Sequence, residues 1–185
     1  MEPTEKNNVC TVEHAGALDL KIRKIFHNPG KILRPYIKEG MSVLDTGCGP
    51  GYFTIEMARM VGNSGHLVAA DLQEGMLTIV KKKVNKINLE NIIELHQCQK
   101  NKIGLTIKFD FILVFWMLHE TPDITLFLKE LFSLLKPEGK ILIAEPKFHV
   151  TKNEFNEAKM EMSKTGFKLI NEPPIFFSHT VVLSK

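Results

Sequence analysis

From Met41 to Thr165 short apolar runs alternate with amphipathic stretches, and no other feature of this chain restricts its fold as strongly. The spacing predicts strands at Met41–Thr46, His66–Asp71, Ile92–His96, Phe109–Phe115 and Lys140–Ala144. It predicts helices at Tyr52–Val61, Gly75–Ile87, Ile124–Leu135 and Lys152–Thr165. Strand and helix in turn imply a parallel sheet wound by right-handed crossovers, with helices on both faces. The runs Phe111–Phe115 and Ile141–Ala144 are apolar at every position. Strands buried on both faces read this way, so these two are expected at the sheet centre. After Gly166 the pattern changes, because Phe167–Ile170 and Thr180–Leu183 are strand-like runs with no helix between them. Such a pair must be antiparallel.

A chain of 185 residues fits one domain with a core of its own. Residues 1–13 are read as a flexible tail, 14–38 as N-terminal helices broken at His27-Asn28-Pro29-Gly30, and 39–185 as the core. A net charge of +3, with lysines spread along the chain, gives no signal for nucleic acid or a membrane surface. The Lys81-Lys82-Lys83 run reads as a solvated helix face. Cys10, Cys48 and Cys98 lack the spacing of a disulfide framework or a zinc site, so no metal is expected and a reducing cytoplasm is the expected setting. The N-terminus lacks the apolar core of a signal peptide, and no apolar run approaches the length of a membrane span. Met57, Met60, Met160 and Met162 are expected as core filler.

The first strand runs directly into Asp45-Thr46-Gly47-Cys48-Gly49-Pro50-Gly51. Glycines at alternate positions let a ligand approach the backbone and permit positive φ. A nicotinamide fingerprint would carry a small residue where Tyr52 stands, and Asp45 would repel a pyrophosphate. The same carboxylate suits a cationic ligand. Asp71, ending the second strand, is placed to bind ribose hydroxyls or to cap the helix that follows.

Together Val43–Gly51, Asp71, Asp110–Phe115 with Met117-Leu118-His119, and Leu135-Lys136-Pro137-Glu138-Gly139-Lys140 resemble the successive motifs of class I S-adenosylmethionine-dependent methyltransferases. The likeness covers about residues 30–185. It is strongest to the small-molecule branch that includes ubiquinone and menaquinone C-methyltransferases and arsenite methyltransferases. The resemblance implies an α/β, Rossmann-like doubly wound sheet of seven mostly parallel strands closed by a C-terminal antiparallel hairpin. It implies S-adenosylmethionine as cofactor, with Asp45, Gly47, Gly49 and Gly51 around its methionine portion, Asp71 on the ribose and Leu72 on the adenine. Cys48 and Phe115 complete the contact set, and Cys98 and Gln99 stand where relatives carry an acidic adenine contact.

Ligands of an open parallel sheet lie beyond the strand carboxyl ends at the switch point, here between the first and fourth strands. A small-molecule acceptor is therefore expected beside Trp116, Met117, His119 and Glu120 on one side and Glu145, Lys147 and His149 on the other. His119 is the candidate base, since imidazole exchanges protons near neutrality. Glu145 could orient a cationic acceptor or cap a turn, and Trp116 could floor the pocket or pack in the core. Lid material is short, which leaves room for a second subunit, either in a homodimer or from a partner protein. The rival readings are a nicotinamide-dependent oxidoreductase and a non-catalytic binding subunit.

Overall fold

The computed structural model describes residues 26–185. The expected tail, nearly all of the expected first N-terminal helix, and Cys10 lie outside these residues. A short helix α1 (Pro29–Leu33) leads into β1 (Ser42–Thr46), α2 (Thr54–Val61), β2 (His66–Asp71), α3 (Glu74–Lys86) and β3 (Ile93–Gln97). Then come β4 (Phe109–Phe115), a 3-10 turn (Leu118–Glu120), α4 (Ile124–Leu134), β5 (Leu135–Pro146), α5 (Lys152–Thr165), β6 (Lys168–Asn171) and β7 (Ser178–Ser184). The seven strands form one sheet in the order β3-β2-β1-β4-β5-β7-β6. Pairing is parallel from β3 to β5, and β7 runs antiparallel to both β5 and β6. The expected hairpin is present, and β1 and β4 are neighbours at the switch point.

Side-chain alternation along each strand divides the core into two layers. Val43, Leu67, Phe111 and Leu113 face Met57 of α2 and Val80 of α3. Leu44, Val68, Ile112 and Val114 face Leu128 and Leu131 of α4 and Phe155 and Met162 of α5. Helices thus cover both faces, which explains why the runs Phe111–Phe115 and Ile141–Ala144 carry no polar position toward either side.

Local chemistry sets the boundaries. The expected interruption falls at His27 and Asn28, which are not helical; Asn28 caps α1 by accepting the Lys31 N–H, and Pro29 occupies the first turn, where a missing N–H costs nothing. Helix α2 begins at Thr54, so the turn after the glycines is longer than its spacing suggested. The Leu-Lys-Pro segment belongs to β5, because Leu135 pairs with Phe109 across a register shift. Lys136 Nζ lies 2.8 Å from Asp110 Oδ2, and that oxygen also accepts the Ser42 N–H at 2.9 Å. One motif therefore joins the entry ends of β1, β4 and β5. A capping box, Thr151 with Glu154, starts α5, and left-handed Gly166 ends it. Met57 and Met162 are core and Met60 packs against it, whereas Met160, expected there too, is 57% exposed because it faces the open edge of a cavity.

Candidate active site

The carboxyl ends of β1, β2, β4 and β5 open into a continuous cavity of about 1460 Å³. Single ligands usually occupy roughly 300–1,000 Å³, so this space suits two molecules side by side. One half is built on the glycine loop. Gly47, Gly49 and Gly51 all have positive φ, at 64°, 52° and 84°. Their environments differ. A Cβ on Gly49 would meet nothing within 4 Å, whereas one on Gly51 would meet Val80 Cγ2 at 3.1 Å. Gly49 lines the cavity and Gly51 does not. Gly51 therefore seats the loop on α3, a correction to its expected place at the ligand.

Lys83 completes that seat, since its Nζ donates to the Pro50 carbonyl at 2.8 Å. The lysine run is thus not wholly solvated. The Asp71 carboxylate accepts the Gly49 N–H at 2.8 Å and the Gln73 N–H at 2.9 Å, so it both ties the loop and starts α3. Burial raises its pKa, and the backbone N–H groups of Gln73, Gly49 and Leu72 offset part of the rise. Asp45, nearly fully buried, accepts the Thr54 hydroxyl at 2.7 Å.

Leu72, Cys98, Gln99 and Phe115 all line this half. Leu72 is 38% exposed, an apolar side chain held open at the rim. Gln99 sits in a tight turn, its backbone paired with Lys102. Burial pushes the Cys98 thiol up to about 12 and raises that of Cys48 well above its ordinary value, Asp45 and Asp71 adding to the rise. Neither thiol is a nucleophile near neutrality. Among the described residues no three His, Cys, Asp or Glu side chains group as metal ligands.

The other half lies under the 3-10 turn and α5. Trp116 has φ 60°, an uncommon backbone state for a bulky side chain, and is fixed by its N–H to Ala144 O at 2.8 Å and its indole N–H to Ser178 Oγ at 2.9 Å. It lines the cavity and meets Phe148 edge-on at 5.3 Å. His119, Glu120, Glu145 and His149 also line it, with the rings of His119 and His149 stacked at 5.6 Å. Lys147 does not. Its side chain is exposed, and its N–H pairs with Phe177 O at 2.9 Å, which turns it away from the place expected for it.

Glu145 is 2% exposed and its carboxylate caps the 3-10 turn after β4. Its Oε1 accepts the Leu118 N–H at 3.1 Å, and its Oε2 accepts the His119 N–H at 3.0 Å and lies 2.6 Å from His119 Nδ1. Burial disfavours the His119 imidazolium, but the Glu145 hydrogen bond and the charges of Glu145 and Glu120 outweigh it and raise the pKa. Met117, expected at the acceptor, also packs against Gly47, a contact that sequence reasoning did not anticipate; also missed was the α5 wall of Phe155, Ala158 and Met160. The helical spacing of Phe155, Ala158 and Met162 marked a buried stripe, but not that its edge meets a ligand space.

A methyltransferase-domain family model matches residues 37–174. The chain is 36% identical over 110 residues to the demethylmenaquinone methyltransferase of Lactobacillus johnsonii, covering 59% of this chain and 45% of the relative. For that of Lactococcus lactis the identity is 37% over 109 residues, covering 57% and 42%. The chain thus spans less than half the length of these curated relatives. A crystal structure of a SAM-dependent methyltransferase from Aquifex aeolicus superposes with TM-score 0.85 at 29% identity, covering 95% of this chain and 98% of that one. With a family match across most of its length and this seven-strand sheet, the chain belongs to the methyltransferase-domain family.

Proposed function

We propose that the cavity binds S-adenosylmethionine over the glycine loop and a small-molecule acceptor under the 3-10 turn, and that the protein catalyses methyl transfer between them. The continuity of one cavity from Gly49 to His119 carries this reading. The residues fit the cofactor. Gly49 leaves open the space a side chain would fill, and Asp71 presents a buried carboxylate at the end of β2. Asp45 supplies negative charge beside the loop, and Leu72 offers an apolar face for a base. Each of these four would hold a different part of the ligand.

When bound, S-adenosylmethionine supplies a methyl carbon on a positively charged sulfur that departs with its bonding electron pair. The residues then mainly need to align an acceptor with that carbon, and alignment alone removes a large part of such a barrier. Trp116 and Phe148 provide flat apolar surface for it, and Phe155 of α5 closes the wall. Relatives named for methylation of demethylmenaquinone support a small organic acceptor. No helix among the described residues is long and apolar enough to cross a membrane, and the cysteine pattern supports a cytoplasmic setting. Calorimetric titration with S-adenosylhomocysteine tests the reading. Micromolar binding, with none for NADH, is expected; NADH binding without the sulfur ligand would overturn it.

A further inference from the structure

We infer that Glu145 is a positioning residue that fixes His119 as the proton acceptor for the bound nucleophile, an inference that rests on the function proposed above. The two residues come from different strand ends. Glu145 lies near the end of β5, while His119 follows β4, and pairing of Phe115 with Ala144 brings these ends together. Capping the 3-10 turn would need only the two backbone N–H groups that Glu145 accepts from Leu118 and His119. The carboxylate takes a third donor, the imidazole, at 2.6 Å.

That third contact has a chemical consequence. An ionised carboxylate only accepts hydrogen bonds, so Nδ1 must carry hydrogen and the lone pair of neutral His119 resides on Nε2. The ring is also held against rotation by its stack on His149. Nε2 is then the nitrogen left to meet a ligand in the cavity. A proton from an acceptor O–H, N–H or activated C–H passes to Nε2. The electron pair it leaves behind makes the new bond to the methyl carbon, and His119 later returns the proton to water. The buried carboxylate stabilises the imidazolium formed, which is the reason for placing a charge there instead of a neutral cap.

The charged and titratable groups around His119 are Glu145 from β5, Glu120 on its own turn and His149 from the segment before α5. The acidic residues of α5 on the cavity wall are Glu154, Glu157 and Glu161. Glu154 is committed to Thr151, and Glu161 pairs with Lys164 at 2.6 Å. Glu145 is therefore the group in direct contact with Nδ1.

Nitrogen-15 NMR of the imidazoles tests this without an acceptor. His119→Asn identifies the resonance among the seven histidines. The wild-type protein should show neutral His119 protonated on Nδ1 and titrating above an ordinary histidine, and Glu145→Gln should lower that midpoint. Should Glu145→Gln not fold, the wild-type tautomer decides alone. Neutral His119 protonated on Nε2, or a midpoint unmoved in folded Glu145→Gln, would overturn the inference. Failure of wild-type protein to bind S-adenosylhomocysteine would instead overturn the proposed function, which keeps the two failures distinct.

Discussion

Asp71 Oδ2 accepts the Gly49 N–H at 2.8 Å, so the end of β2 holds the glycine loop of β1 in place. Asp71→Ala removes the acceptor of two backbone N–H groups, and stranding a buried donor costs about 1–3 kcal/mol. Chemical denaturation should show that loss. Titration should show affinity for S-adenosylhomocysteine falling by at least about tenfold, equivalent to about 1.4 kcal/mol. Because burial raises the Asp71 pKa, wild-type affinity should fall on acidification at a higher pH than an ordinary carboxylate would dictate. Unchanged affinity in Asp71→Ala would exclude a ribose contact.

The raised pKa of His119 links stability to pH with a definite sign. Its folded-state pKa lies above the unfolded value of about 6.5, so its stabilising contribution is complete below that value. The contribution is lost as pH rises through the folded pKa. Urea midpoints should therefore decline across this window, and His119→Asn should flatten the decline. A slope that persists in the variant would assign it to another group.

Gly51→Ala should act on stability. A non-glycine residue in the left-handed region costs about 1–2 kcal/mol, and the new Cβ would press on Val80 Cγ2 at 3.1 Å. A fall in denaturation midpoint of that order is expected, to be compared with Val80→Ala combined with Gly51→Ala, which should recover part of it.

Trp116 is the one tryptophan in the chain and it lines the cavity. Indole fluorescence, excited apart from the two tyrosines, consequently reports from Trp116 in the cavity. Aromatic acceptors should quench or shift it at saturating concentration, and Phe148→Ala should weaken that response by removing the ring edge-on to the indole. An acceptor that is methylated without altering the emission would place its site elsewhere.

Much of this architecture was legible in the order of apolar runs, because burial on both faces of β4 and β5 leaves a continuous signature. That Asp45, Gly49 and Asp71 would line a cavity was legible for a related reason: loop chemistry at a strand end is local in sequence. Contacts between distant segments were not. Glu145 and His119 are 26 positions apart, and only the parallel pairing of β4 with β5 brings the buried carboxylate to the imidazole. Lys147 illustrates the converse. Its neighbours Glu145 and His149 do line the cavity, but its backbone pairing with Phe177 directs it outward. Gly51 looked equivalent to Gly49 until the Val80 side chain beneath it was located.

The placement of the cofactor over the glycine loop is tested most directly at Gly49. A Cβ there enters open space, so Gly49→Ala should cost only the left-handed backbone penalty of about 1–2 kcal/mol in stability. In calorimetric titration the wild-type protein should bind S-adenosylhomocysteine in the micromolar range, and folded Gly49→Ala should bind at least about tenfold more weakly. Equal affinity in the two proteins would contradict the account.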